Sequence, residues 1–358
     1  MSRFLMIDIG AGTMDILHYD TKTDLHYKAV VKSPVRTVAE KAAAVSGNLL
    51  VVGNEMGGGP ITQVLRERAR QAKVVMSTSA ASTLNHDPEK IKSWGIKLVE
   101  DTWVEEMRAD QNYRQITLSD IEPQRLANIV GSFGVPYELD AVVVCAQDHG
   151  MPPTGVSHLD FRHNMFKACL EQKPYPHRLL YKTDEVPETM NRLKSIARSA
   201  AALPSPEIYV MDSGMAAILG ASMDSLARGK KPVLLLDIAT SHTVGAAMNG
   251  EELMGFFEYH TQDITVRKLE TLLQELAEGK LSHRQILAEG GHGAYLRGRI
   301  GFNAVKAIIA TGPKRKLIAD SHLPVQFGAP WGDNMMTGTV GLLEALRRRK
   351  ELEPITYL

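Results

Sequence analysis

The chain has 358 residues, 44% of them hydrophobic, enough for one large or two medium cores. Its 41 Lys and Arg residues balance 41 Asp and Glu, so no net field draws it to nucleic acid or to an acidic membrane surface, and small molecules or proteins are the expected partners. Only two cysteines, Cys145 and Cys169, are present, which excludes a disulfide scaffold, and no run of about 18 apolar residues offers a membrane span; a reducing, cytoplasmic setting is expected.

Phe4 to Ile9 reads as a buried strand that turns through glycines and resumes at Met14 to Tyr19, the pattern of a hairpin with Asp8-Ile-Gly-Ala-Gly-Thr-Met-Asp15 at its tip. Asn48 to Val52 is a second apolar run, followed by the loop Gly57 to Pro60 and a helix to Ala72. From Ser77 to Ile121 the pattern is mixed. Pro123 to Ser132 reads as a helix, Ala141 to Ala146 as a continuously apolar strand, and Gly150 to Gly155 as a loop. Met190, Leu193, Ile196, Ala197 and Ala200 share one helical face between Pro187 and Pro204, and Ile208 to Met211 is a short strand.

Val233 to Leu236 then leads into Asp237-Ile-Ala-Thr-Ser-His-Thr243, and Val244 to Met248 continues as a strand up to the hairpin signal Asn249-Gly250. A strand, an Asp-led polar loop and a second strand therefore occur twice, once in each half of the chain. Ile264 to Ala277 is an amphipathic helix stopped by Gly279, and Ser282-x-x-Gln285 caps another. Lys306 to Ala310 is a strand opening into Thr311-Gly-Pro313, and a last helix runs from Gly332-Asp-Asn334 to about Arg349. Strands alternating with helices make the class α/β.

In the first hairpin tip, Gly10 and Gly12 let backbone amides approach phosphate oxygens, Thr13 adds a hydroxyl donor, and Asp8 at the strand end is placed to hold a magnesium ion through water. In the second, Asp237 follows an apolar strand, and Thr240, Ser241, His242 and Thr243 form a polar row in the turn. Either tip alone is an ordinary hairpin. Two of them facing one another would clamp a polyphosphate from both sides, with two carboxylates for the metal.

Gln147-Asp-His-Gly150 follows the apolar strand, with a loop cap as its plain structural reading. His149, His158, Asp160 and His163 offer metal-ligand chemistry at a spacing that matches no standard pattern. Glu289-Gly-Gly-His-Gly-Ala-Tyr295 either shapes a base pocket or bends the chain, and Arg347 to Lys350 reads as a solvated helix end.

In this order the motifs resemble the actin-like ATPase superfamily of actin, heat-shock chaperones and sugar kinases. Asp8 to Asp15 is similar to its first phosphate loop, Asp212-Ser-Gly-Met-Ala-Ala-Ile-Leu-Gly220 to its connecting helix, and Asp237 to Thr243 to its second phosphate loop. Ala307-Ile-Ile-Ala-Thr-Gly-Pro313 is similar to the adenosine strand and turn, and Gly332 to Gly341 to the closing helix. More narrowly, the whole chain resembles the prokaryotic family labelled pyruvate formate-lyase activating enzyme-like.

The resemblance implies a two-lobed, ribonuclease H-like fold, with 1–222 as the N-terminal lobe, 223–358 as the C-terminal lobe and the last helix returning to the first. It implies ATP and Mg2+ in the cleft, bound through Asp8, Gly10, Gly12, Thr13, Asp15, Thr240, Ser241, His242, Thr243, Gly312 and Pro313, with Asp8 and Asp237 on the metal and lobes that close on the nucleotide. The superfamily's second loop carries glycine where this chain has Ala239 and Ser241. The family label names an activity whose iron–sulfur cluster needs three closely spaced cysteines, which Cys145 and Cys169 do not supply. The expected function is a phosphotransferase or ATPase acting on an unknown acceptor or partner, with Asp148 and Asp237 as its catalytic carboxylates. The resemblance implies the general base at Asp148, after the strand where the superfamily often places the residue that activates water or a substrate hydroxyl, with Gln147 as its alternative. A nucleotide sensor with little or no catalysis is the alternative, and the oligomeric state is open.

Overall fold

The computed structural model describes residues 2–153 and 155–357. Strands β1 (Arg3–Ile9), β2 (Thr13–Asp20) and β3 (Leu25–Lys32) form an antiparallel meander. A separate parallel sheet follows, made of β4 (Asn48–Gly53), β5 (Val74–Ser77), β6 (Ile96–Val99) and β7 (Tyr113–Leu118) in the order β6-β5-β4-β7. β4 is the apolar run read at Asn48 to Val52, while β6 and β7 occupy the stretch from Ser77 to Ile121 whose pattern is mixed in sequence. The chain then returns to the first sheet with β8 (Ala141–Ala146), β9 (Tyr181–Lys182) and β10 (Ile208–Asp212), giving the order β3-β2-β1-β8-β10-β9 with β8 and β10 parallel to β1. Every residue of β8 is fully buried, as a central strand covered on both faces requires.

The second half repeats the plan. Strands β11 (Val233–Ile238), β12 (His242–Asn249) and β13 (Glu252–His260) form another meander, and β14 (Gly293–Leu296) extends its edge. Strands β15 (Ala307–Thr311) and β16 (Val325–Phe327) add to β11 in parallel, for the order β14-β13-β12-β11-β15-β16. With the edge strands β9 and β14 set aside, both sheets run third, second, first, fourth, fifth. This is the ribonuclease H-like order, and two such units make the two-lobed actin-like fold.

One apolar core joins the two sheets through the helices Ser213–Ser222 and Thr337–Arg349. Met215 to Ala221 are all buried, so the first of these is a helix without a solvent face. The pair meets backbone to backbone: a Cβ on Gly220 would lie 1.7 Å from the Thr337 carbonyl oxygen, and one on Gly341 would lie 1.9 Å from that of Ala216. Thr337–Arg349 also packs on β1 and β8. Its start is later than the sequence suggests, because the Asp333 side chain caps a separate short turn at Asn334–Met336. Among the described residues no helix is long and apolar enough to cross a membrane.

Candidate functional site

The two Asp-led hairpins have the same length. β1 and β2 pair Asp8 with Asp15, and β11 and β12 pair Asp237 with Val244. The Gly10 N–H donates to the Thr13 carbonyl at 3.0 Å and the Ala239 N–H to the His242 carbonyl at 3.0 Å, so each tip closes over four residues. Ala239 and Ser241 thus stand where Gly10 and Gly12 stand. Neither glycine lies in the left-handed region, so the second tip needs no glycine to make the same turn. The first tip is pinned from the residue after β3: the Ser33 hydroxyl donates to the Gly10 carbonyl at 2.6 Å, and the Ser33 N–H to the Gly12 carbonyl at 3.1 Å.

The tips meet. A Cβ on Gly12 would lie 3.2 Å from Thr240 Cγ2, and a cavity of about 610 Å³ opens beside them. It is lined by every site residue anticipated from the sequence except Thr243. Thr243 is fully buried, and its hydroxyl pairs with the Thr261 hydroxyl at 3.0 Å. The polar row Thr240 to Thr243 cannot all face one ligand, because β12 begins at His242 and successive side chains on a strand point to opposite faces.

The third wall is the turn after β15. Gly312 has φ +86°, and a Cβ there would meet the Ile238 carbonyl at 2.6 Å and Asp237 Oδ1 at 2.9 Å, so the position requires glycine twice over. Asn334 Nδ2 donates to the Gly312 carbonyl at 3.0 Å, and the Thr311 hydroxyl donates to Asp237 Oδ1 at 2.9 Å.

Asp8, Asp15 and Asp237 converge on the cavity, and among the described residues none of them forms an ion pair. Burial raises Asp8 to about 6, against a Cys145 contact that lowers it. Burial and then the Asp8 charge raise Asp15 to about 8. Burial and the Asp8 charge likewise raise Asp237 to about 6, opposed by its Thr311 hydrogen bond. Asp15 Oδ1 is buried with no hydrogen-bond partner. A hard dication held by oxygen ligands fits this set, because it would satisfy the orphan oxygen and offset the mutual repulsion.

A pH dependence follows. An acid that binds protons more tightly when folded makes stability fall as pH rises through its folded pKa. The buried histidines act oppositely, since burial lowers His149 to about 3 and His242 to about 4, but their effect is complete above their ordinary value of 6.5. Between about pH 6.5 and 8 the carboxylates dominate, Asp15 first. Metal-free wild type is therefore expected to melt at steadily lower temperature across that window, and Asp15→Asn should flatten the slope. Parallel slopes in the two proteins would show that Asp15 is ionised throughout.

Asp148 lines the same cavity, but its Oδ1 accepts the Gly150 N–H at 2.8 Å and its Oδ2 the Leu193 N–H at 2.9 Å. The carboxylate thus ties its own loop to the helix Asn191–Ala200. Burial raises it to about 6 even so. Gln147 donates to Glu258, and its carbonyl accepts from Arg192, whose guanidinium is fixed by Asp120 at 2.8 and 3.0 Å.

The four residues weighed for metal binding do not form one cluster. His163 stacks on His283, Asp160 Oδ1 meets His283 Nε2 at 3.0 Å, and His158 stacks on His86. His149 packs edge-on against His292. Sequence reasoning missed the group at the back of the cavity: Glu258, His260 and His292, with the buried Arg162 behind them. Arg162 reaches Glu258 through Nη1 and Asp212 through Nη2 at 3.0 and 3.2 Å. Burial would raise Glu258, but Arg162 and the neighbouring imidazoles hold it well below the usual carboxylate range. The glycines of Gly290 to Gly293 bend the chain, with φ +84° at Gly290 and +122° at Gly293, and so deliver His292 to the cavity.

A family model described as "Putative pyruvate format-lyase activating enzyme (DUF1786)" matches residues 56–317, well over half of the chain. The chain belongs to that family. The DUF1786 description names an activity whose iron–sulfur chemistry the thiols here do not fit: Cys145 is fully buried in β8, Cys169 is exposed, and the sequence has no third cysteine. No curated protein matches the sequence. Among solved structures, the activator of the 2-hydroxyisocaproyl-CoA dehydratase from Clostridium difficile with bound ADPNP is 10% identical over 99% of both chains, with a TM-score of 0.35. A Bacteroides thetaiotaomicron protein with an actin-like ATPase fold and unknown function is 8% identical over 96% of both chains, with a TM-score of 0.37. At such scores the fold of this DUF1786 chain rests on its own strand order.

Proposed function

We propose that the protein binds a magnesium–nucleotide, ATP in the first place, between its two hairpin tips, and transfers or hydrolyses the terminal phosphoryl group with an unidentified acceptor or partner. The observation that supports this most is the placement of Asp8 and Asp237, at equivalent positions of two equal hairpins, on one cavity with the unpartnered Asp15 oxygen. In this reading Asp8 and Asp237 would hold Mg2+ with Asp15 beside them, while backbone amides at Ala11 to Thr13 and the side chains of Thr240 and Ser241 would meet phosphate oxygens. Gly312 and Pro313 lie against adenosine. Bound Mg2+ supplies charge neutralisation of the phosphates. Asp148 takes the proton of the attacking hydroxyl or water, held in place by its two main-chain donors.

A second reading, a nucleotide sensor with slow or no chemistry, is favoured by one observation: both Asp148 oxygens are already engaged by main-chain N–H groups. Turnover of ATP by purified protein separates the two.

Gly12→Val tests the loop assignment. Its side chain would enter the space between Gly12 and Thr240, forcing the tips apart where phosphate is to bind. Nucleotide affinity is expected to fall by about 100-fold or more, the loss of roughly 2.7 kcal/mol, with the variant still folded by circular dichroism. Unchanged affinity in a folded variant would remove the first tip from the site.

A further inference from the structure

We infer that His242, His260 and His292 form a binding site for a divalent transition-metal ion of the zinc class, separate from the carboxylates that would hold magnesium. Two of the residues lie on neighbouring strands and the third directly precedes the next one, so the sheet itself aligns them. His242 opens β12 and pairs in register with His260, the last residue of β13. His292 stands directly before β14, and its N–H donates to the Glu258 carbonyl at 2.8 Å, so it flanks the same end of β13. One ring nitrogen from each lies within 4.8 Å of the others, and His292 Nε2 is 3.1 Å from His260 Nε2.

A hydrogen bond between His292 and His260 does not account for the group. It leaves His242 Nε2 buried without a hydrogen-bond partner, a cost that buried polar atoms seldom bear. Nitrogens bound to zinc at about 2.0–2.1 Å in tetrahedral geometry lie about 3.3 Å apart. The His260 and His292 pair is already near that spacing, and a small movement of the His242 ring completes the set.

The surroundings are those of a metal-bound imidazole. Glu258 Oε1 lies 3.6 Å from His292 Nδ1, beyond a hydrogen bond as it stands but one small ring movement from the carboxylate–imidazole pair that raises a ligand's basicity. Glu258 is itself held by Arg162 and Gln147, and the Arg162 charge is shared with Asp212, so the cation at this wall is already paired. His149, whose ring centroid is 6.0 Å from that of His292, packs alongside. Imidazole ligands select zinc and its neighbours in the first transition row over magnesium. Three protein ligands leave a fourth position for water or a substrate oxygen, as in zinc sites that do chemistry, and all three histidines line the cavity. The site therefore takes an oxygen-bearing ligand next to the second hairpin tip.

The test uses tag-free, full-length protein stripped with EDTA and titrated with Co2+, whose visible bands report imidazole ligation. The expected result is one Co2+ per chain, displaced by Zn2+, with affinity at least about 10-fold weaker in His260→Gln and in His292→Gln. Magnesium–ATP binding is measured on the same samples and is expected to survive in both variants. Co2+ uptake no tighter in wild type than in the double variant overturns the site, whatever happens with nucleotide. Histidine-dependent Co2+ binding in a protein that ignores magnesium–ATP would retire the nucleotide reading and leave this one standing. If the variants fail to fold, X-ray absorption on zinc-loaded wild type decides: imidazole scatterers support the site, and an oxygen-only shell overturns it.

Discussion

Arg162→Met is expected to destabilise the protein by about 3–5 kcal/mol, the cost of removing one partner from a buried ion network. Arg162, Asp212 and Glu258 are each 5% exposed or less. Arg162 sits on the helix His158–Gln172, Asp212 at the end of β10 in the first sheet, and Glu258 in β13 of the second. Among the described residues the guanidinium is the one permanent cation paired with both carboxylates, and it bridges the two sheets beneath the cavity. Methionine keeps the packing on Phe166, over which the guanidinium lies 5.0 Å from the ring centroid, so the loss isolates the charge. Calorimetry should show a melting temperature lower by at least about 5 °C. Adding Asp212→Asn and Glu258→Gln to the variant should restore part of the loss, because the stranded charges go with the side chains. A drop below about 1 kcal/mol, or no rescue, would mean that water already compensates the carboxylates.

Asp237→Ala should have the largest effect on ligand binding and the least on folding. The carboxylate is half-buried, one oxygen accepts from Thr311, and desolvation with the Asp8 charge raises it to about 6. Its removal relieves repulsion at the cavity mouth, so the ligand-free variant is expected to melt at the same temperature as wild type or higher. A ligand at 100 times its Kd stabilises by about 2.7 kcal/mol. Wild type should show that gain with magnesium–ATP and the variant almost none at the same concentrations. A variant that unfolds without ligand, or that gains as much as wild type, would make Asp237 a structural residue and leave the paired hairpins without a metal role.

What could be read from the sequence follows from how locally each signal is written. β8 and β11 are continuous apolar runs, and the two hairpins repeat within short windows, so the doubled plan and the cavity-lining positions Asp8, Gly12, Asp237 and Gly312 were all legible. β3 was not, because half-exposed edge residues such as Tyr27 and Lys28 carry little period. The helix His158–Gln172 was missed for a related reason: its buried face includes an arginine, Arg162, whose partners lie 50 and 96 residues away. His260 and His292 belong to no motif. Only the β12–β13 register and the bend at Gly290 to Gly293 bring them to His242. Ser33 did carry a signal, a serine before Pro34 at a helix start, although nothing local says that its hydroxyl reaches back to Gly10. Thr243 shows the opposite error, where a polar row was read as one surface although the strand had already begun.

If the paired tips hold a magnesium–nucleotide, calorimetric titration of ATP into the stripped wild-type protein, with and without Mg2+, should show saturable binding of one ATP per chain that strengthens markedly with Mg2+. Heats no greater than dilution in both titrations, or binding indifferent to Mg2+, would contradict that assignment.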